Sequence, residues 1–329
     1  MLNRQRARHF CILAFMHCCI LMASASPVFA GERYALIVTG ASGGPEYAKQ
    51  YRDWRTSFAA VLKAKFNYPA DHVILLADDE EPGVRKATRE NVRGALADVR
   101  RRASKDDVTL VLLVGHGTAD GDQAKFNLVG PDLSVDEWAA LVKPIAGRVV
   151  FVNAASGSFP FLQRLSGPGR IVLTSTDTAA QQFDTVFPGL FFRAFDDPAA
   201  DVDKNGRVSV WEAFSYASAG VRQWFAERAR LATERALLDD TGDGIGREAQ
   251  SPGRDGAIAQ VTYLQPDAPI AATASPELVP LLTRRGELES ELELLRARKP
   301  NMPADEYDAA LERLLVEIAR LDRQIRTKS

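Results

Sequence analysis

Five short runs of β-branched and aliphatic residues alternate with longer stretches between residues 32 and 200. The runs are "YALIVTG" from Tyr34, "HVILLAD" from His72, "VTLVLLVG" from Val108, "RVVFVNA" from Arg148 and "RIVLTST" from Arg170. Between them, "PEYAKQYRDWRTSFAAVLKAKF" and "TRENVRGALADVRRRA" repeat apolar residues at helical spacing, and "LSVDEWAALVKPI" adds a shorter helix capped by Ser134. Strands that alternate with helices form βαβ units, so the pattern predicts an α/β fold with a mostly parallel sheet flanked by helices. In such a sheet the chemistry collects at the carboxyl ends of the strands.

The N-terminus stands outside this pattern. Arg4, Arg6 and Arg8 precede the apolar run "FCILAFMHCCILMASA", and "VFA" ends at Ala30 before Gly31. This is the layout of a secretory signal peptide over residues 1–30, and it predicts a secreted or periplasmic protein. A retained membrane anchor is the alternative, but the run is short for a full span. Cys11, Cys18 and Cys19 all fall inside the segment, so cleavage leaves a chain without disulfides, thiolate metal sites or a thiol nucleophile. No later stretch is apolar for long enough to span a bilayer, so no membrane association is expected after cleavage. A formal net charge of −2 with no long basic block argues against nucleic acid as a partner.

After residue 200 the texture changes. An acidic loop leads into a helix expected from Val210 to Leu238, then a second acidic loop, then a Pro/Gly/Ala-rich stretch ending at "APIAATASPE". The predicted organisation is a signal at 1–30, an α/β domain at 31–250, a linker at 251–276 and a helical region at 277–329. In that last region Tyr307, Leu311, Leu314, Ile318, Leu321 and Ile325 recur at spacings of four and three, a heptad seam. The seam suits an antiparallel hairpin packing on itself or on the main domain. It also suits a coiled coil that makes an oligomer, or a surface that docks a partner.

The densest local motif is "DVDKNGRVSVWE", Asp201 to Glu212. A calcium loop of the EF-hand type needs oxygen donors at positions 1, 3, 5 and 9, a carbonyl at 7, Gly at 6 and a closing Glu at 12. Asp201, Asp203, Asn205 and Ser209 fill the donor positions, Arg207 offers its carbonyl, Gly206 sits at the turn and Glu212 closes the loop. An acidic turn capping a helix would explain Asp and Gly but not every matched position, so calcium is the predicted cofactor. In "LLDDTGDGIG", Asp239, Asp240 and Asp243 suit either a second cation site or a solvated turn. "TGASGGP" after the first strand lacks both the G-x-G-x-x-G order and a P-loop Lys, so it reads as a loop rather than a phosphate cradle.

"LVLLVGHGTADG" places His116 at the end of a buried strand, and "NAASGS" follows at the end of a later one. Together these resemble the legumain and caspase-like cysteine peptidases of the caspase–hemoglobinase fold, over about residues 32 to 200. In that family the His of a His-Gly pair acts with a Cys at a strand end, in the pattern acidic-Ala-Cys-x-Ser-Gly. The resemblance places the family's base on His116, its Ser-Gly on Ser156-Gly157 and its nucleophile on Ala154. It extends to secreted bacterial relatives that continue into an EF-hand-like loop and an Asp-Asp-x-Gly-Asp-Gly segment, matched by Asp201–Glu212 and Asp239–Gly244. The departure at Ala154 implies lost activity, because a methyl group cannot attack a carbonyl. The sequence therefore points to a pseudo-peptidase that binds a peptide or protein ligand. An active hydrolase using Ser156 or Ser158 with His116 is the competing reading.

Overall fold

The computed structural model describes residues 31–120, 123–267, 277–299 and 302–328. The expected signal segment with its three cysteines, and residues 268–276 of the expected linker, lie outside them. In chain order the first half runs β1 (Arg33–Thr39), α1 (Pro45–Ala60), β2 (Val73–Ala77), β3 (Val84–Lys86), α2 (Arg89–Arg102), β4 (Val108–Val114), β5 (Gly117–Asp120), β6 (Gln123–Phe126), β7 (Leu133–Ser134) and α3 (Val135–Val142). The second half runs β8 (Arg148–Asn153), α4 (Phe159–Leu165), β9 (Arg170–Thr174), α5 (Phe187–Ala194), α6 (Val210–Glu227), β10 (Leu237–Asp239), α7 (Ala257–Gln260), α8 (Val279–Arg298) and α9 (Ala304–Lys328).

The five expected strands are present and all parallel, within a seven-stranded sheet ordered β10-β9-β8-β4-β1-β2-β3. Because side chains alternate across a strand, each central strand feeds two cores. From β4, Leu110, Leu112 and Val114 join Phe58 of α1, Phe191 of α5 and Phe214 of α6. Val111 and Leu113 face the other way, toward Leu96 of α2, Trp138 of α3 and Phe161 of α4. The result is a three-layer α/β protein, with β5, β6 and β7 forming a small antiparallel sheet on the second face. Local signals mark the helix starts. Pro45 opens α1, Thr88 caps α2 by accepting from the Asn91 amide at 3.3 Å, and Ser134 forms a capping box with Glu137.

Two expectations are corrected. The helix from Val210 ends at Glu227 rather than Leu238, with Ala229 in the left-handed region at φ 47°. Leu231, which helical spacing would bury, is 91% exposed. Leu237 to Asp239 instead form β10, antiparallel to β9. The chain gains more by pairing these residues with an apolar strand edge than by extending a solvated helix. The second correction concerns 251–267, whose composition suggested a linker. The Thr262 carbonyl accepts from the Val210 amide at 2.8 Å, Tyr68 donates to the Leu264 carbonyl at 2.7 Å, and Leu264 is fully buried. The glycines there build turns: Gly256 has φ 98°, and a Cβ on it would meet the Trp211 ring at 2.7 Å.

The sheet's ends are short. The outer edge of β10 is met by Arg247, which exchanges both backbone bonds with Leu238 at 2.8 and 2.9 Å. At the opposite end β3 has three residues, two of them the exposed Arg85 and Lys86. Helices α8 and α9 form a hairpin with its own core of Leu288, Leu292, Leu295, Tyr307 and Leu314. The heptad seam thus closes within one chain: Leu311, Ile318 and Leu321 pack against the same cluster.

Candidate functional site at the sheet edge and the acidic loop

Strands β1, β4, β8 and β9 end at one edge of the sheet, and the loops that follow them meet there. His116 follows β4, and its Nε2 lies 3.1 Å from the Ser42 carbonyl and 3.2 Å from the Tyr51 hydroxyl. A carbonyl can only accept whereas a hydroxyl can also donate, so the tautomer sets whether Nε2 donates to Ser42 or accepts from Tyr51. Nδ1 stands 3.6 Å from a carboxylate oxygen of Asp184, in the loop after β9. Tyr47 packs edge-on against the imidazole and donates to Asp184. Burial pushes the Tyr51 phenol above its ordinary range, with the charge of Asp184 adding to it, so Tyr51 stays protonated and is no nucleophile. His72, the other histidine among the described residues, is held by the Arg33 carbonyl at 3.0 Å and stacks on Tyr34, a structural role.

The turn after β8 is tightly bonded. Ala154 is buried on the core face that also holds Tyr51 and Val114. Its amide donates to the Leu113 carbonyl at 2.9 Å, and its carbonyl accepts from Thr185 at 2.6 Å. The hydroxyl of Ser156 bridges the backbone of Gly117, accepting from its amide and donating to its carbonyl, each at 3.2 Å. Ser158 is fully buried, with its hydroxyl 3.0 Å from that of Thr176 and 3.3 Å from that of Ser175. Neither serine is among the hydrogen-bond partners of His116. Three of the turn's amides are also occupied. Those of Ala155, Gly157 and Ser158 donate to the Asn153 side chain, the Gln181 carbonyl and the Thr176 hydroxyl respectively. An oxyanion site needs such donors free and aimed at the reacting oxygen.

Sequence reasoning did not find Tyr51 or Asp184, because each joins His116 from another element and neither carries a local motif. Glu234 was missed for the same reason. Its buried carboxylate accepts from the amides of Val186 and Phe187 at 2.8 and 2.9 Å, fixing the start of α5 beside Asp184. Burial raises its pKa to about 7, partly offset by those two amides.

In the acidic loop, ligand atoms of Asp201, Asp203 and Glu212 lie within 4.8 Å of one another, a set that could hold a metal ion. Gly206, at φ 84°, makes the tight turn, and its amide donates to Asp201 at 3.0 Å. Burial and the nearby carboxylates raise the pKa of Asp203, a repulsion that a cation would relieve. The remaining expected ligands are arranged differently. The Ser209 hydroxyl and Glu212 form the capping box of α6, and Glu212 also accepts from the Val202 amide at 2.8 Å. Asn205 accepts from the Arg207 amide and donates to Asp203 and Tyr263. The Arg207 side chain turns away, over the Tyr263 ring and onto Asp267.

The second acidic loop is built for backbone capping. Asp239 accepts from the amides of Gly242 and Gly244, Asp240 from those of Gly256, Ile258 and Ala259, and Asp243 from that of Ile245. Among the described residues these three carboxylates do not converge as a metal-sized cluster. Asp240 lies at the start of α7 because three orphan amides there need an acceptor.

No protein-family profile and no curated protein matches this chain. Among solved structures it is similar to the crystal structure of protein GSU0716 from Geobacter sulfurreducens, at 14% identity and a TM-score of 0.42, over 63% of this chain and 92% of that one.

Proposed function

We propose that this chain is an exported, calcium-binding, caspase/legumain-like pseudo-peptidase that holds a peptide or protein ligand at the carboxyl edge of its sheet without cleaving it. The observation that carries the reading is the turn after β8. It meets His116 on paired strands, yet it has a methyl group at Ala154, and both its hydroxyls are bonded into the surrounding backbone and side chains. Covalent catalysis needs a nucleophile beside its base, and here the base's Nε2 faces a carbonyl and a phenol. The edge retains a feature of a binding surface, with Phe183, the residue before Asp184, 68% exposed.

Calcium is the cation that suits the acidic loop, because the set is all oxygen and the loop spacing matches that of an EF-hand calcium loop. Asp201, Asp203 and Glu212 would hold it, tying the loop to the start of α6, where Glu212 is anchored.

Incubating the purified protein with a peptide library and a serine-directed fluorophosphonate probe tests the first part. Neither cleavage nor labelling is expected, and labelling that disappears in Ser156→Ala or Ser158→Ala would establish the hydrolase instead. Melting with calcium and with EDTA tests the second. Unchanged melts together with no bound metal by mass spectrometry would remove calcium from the proposal.

A further inference from the structure

The outer face of α9 carries an ordered stripe that the hairpin does not use. Asp305, Asp308 and Glu312 occupy its first half, and all three are exposed. Leu315, Val316 and Ala319 follow in the middle, with Leu315 45% and Val316 43% exposed. Arg323 and Arg326 complete it, again exposed. At helical periodicity these positions lie along one side of the helix. That side is separate from the Tyr307, Leu314 and Ile318 seam that packs on α8. Between Asp308 and Ala319 the middle of the stripe is an open, shallow and mostly apolar surface.

The charges on the inner side of the hairpin are paired within the chain. Glu317 meets Arg284 at 3.0 Å, Asp322 meets Arg285 at 3.2 Å, and Lys328 meets Glu277 at 3.2 Å. Among the described residues, the five charges of the stripe make no such pair. The stripe therefore reads acid, apolar, basic from one end to the other, with no partner at either end. A surface with that order is complementary to itself only when reversed. Laid antiparallel on a second copy, with Leu315 opposite Val316, it brings Asp308 opposite Arg323 and Asp305 opposite Arg326, and Glu312 opposite Ala319. A parallel arrangement would set acid against acid and base against base.

We infer that α9 is the contact through which two copies of this chain associate, antiparallel and two-fold symmetric, with Leu315, Val316 and Ala319 at the axis. The contact is isologous and closes after two copies, because each stripe is fully covered by the other. From Asp305 to Arg326 it runs about 32 Å at the ordinary helical rise. Its charged ends lie in solvent, so added salt screens their attraction and weakens the contact.

Sedimentation equilibrium of the purified protein tests this, with circular dichroism as a check that each variant is folded. The wild type is expected to be a dimer that weakens several-fold between low and high salt. R323E/R326E makes the whole stripe acidic, and D305R/D308R makes its acidic end basic, so each alone should weaken association at least tenfold. An equimolar mixture of the two variants should recover a heterodimer, since the reversed signs then face each other again. L315E/V316E should abolish association in either background. A wild type that stays monomeric, a dimer that both charge variants leave intact, or a mixture that stays monomeric would each overturn the inference.

Discussion

Glu234 offers a sharp test of how the sheet edge is held. Its carboxylate is buried, has no cationic partner among the described residues, and anchors the amides of Val186 and Phe187, so it sets the position of the loop that carries Asp184. The perturbation is Glu234→Gln, which keeps the shape and one acceptor oxygen but cannot ionise. In the wild type the folded carboxyl titrates near about 7, against 4.5 for a free glutamate. Between those values the folded state holds a proton that the unfolded state has released. Stability from neutral Glu234 is therefore full below about pH 4.5 and is lost as pH rises through about 7, a loss of about 3 kcal/mol. The glutamine escapes that loss, but its NH₂ faces one of the two backbone amides, which costs about 1–3 kcal/mol at every pH. The variant should thus be clearly less stable than the wild type near pH 5 and level with it or more stable near pH 8. Urea denaturation midpoints across that range give the gap directly. Asp255, which burial raises to about 6, titrates in both proteins and cancels in the difference. A gap that stays constant or widens with pH would refute the reasoning.

Calcium should raise the melting temperature at saturation, by an amount equivalent to about 2.7 kcal/mol at a hundredfold excess over the dissociation constant, and Asp201→Ala with Asp203→Ala should remove the shift in differential scanning fluorimetry. Ser156→Ala leaves the half-buried backbone of Gly117 without its bridging hydroxyl, so chemical denaturation should register a loss of about 1 kcal/mol. Gly242→Ala meets two obstacles, φ of 79° and a Cβ that would lie 2.8 Å from the backbone of Gly167, and should cost about 1–3 kcal/mol or more in the same assay.

The parallel core was legible because its signals are local. Runs such as "VTLVLLVG" are long enough for periodicity to register, and Ser134 announces its helix within one turn. β10 escaped because three residues carry no period, and what makes Leu237 to Asp239 a strand is the unpaired edge of β9, far back in the sequence. The small sheet of β5, β6 and β7 escaped for the same reason. At the candidate site, His116 and the Ala154 turn could be read from strand-end position, whereas Tyr51, 65 positions from His116, is brought to it only by the packing of α1. The acidic loop was legible in part. Asp201, Asp203 and Glu212 do converge, and the helix-cap alternative is realised as well, with Ser209 and Glu212 bonded to each other at the start of α6. In the second loop, Asp and Gly marked a turn correctly, and the carboxylates went to amides that no motif displays.

The two ends of the large sheet bear on how copies of this protein can meet. An apolar sheet with a bare edge is a template on which a neighbour's strand can be laid, and repeated addition of that kind grows fibres. Here one end is covered by Arg247 of the same chain, and the other presents a strand of three residues with Arg85 and Lys86 on it. Strand-by-strand growth is thereby disfavoured at both ends of this sheet, whereas a helix-surface contact such as that inferred for α9 can close at a fixed number.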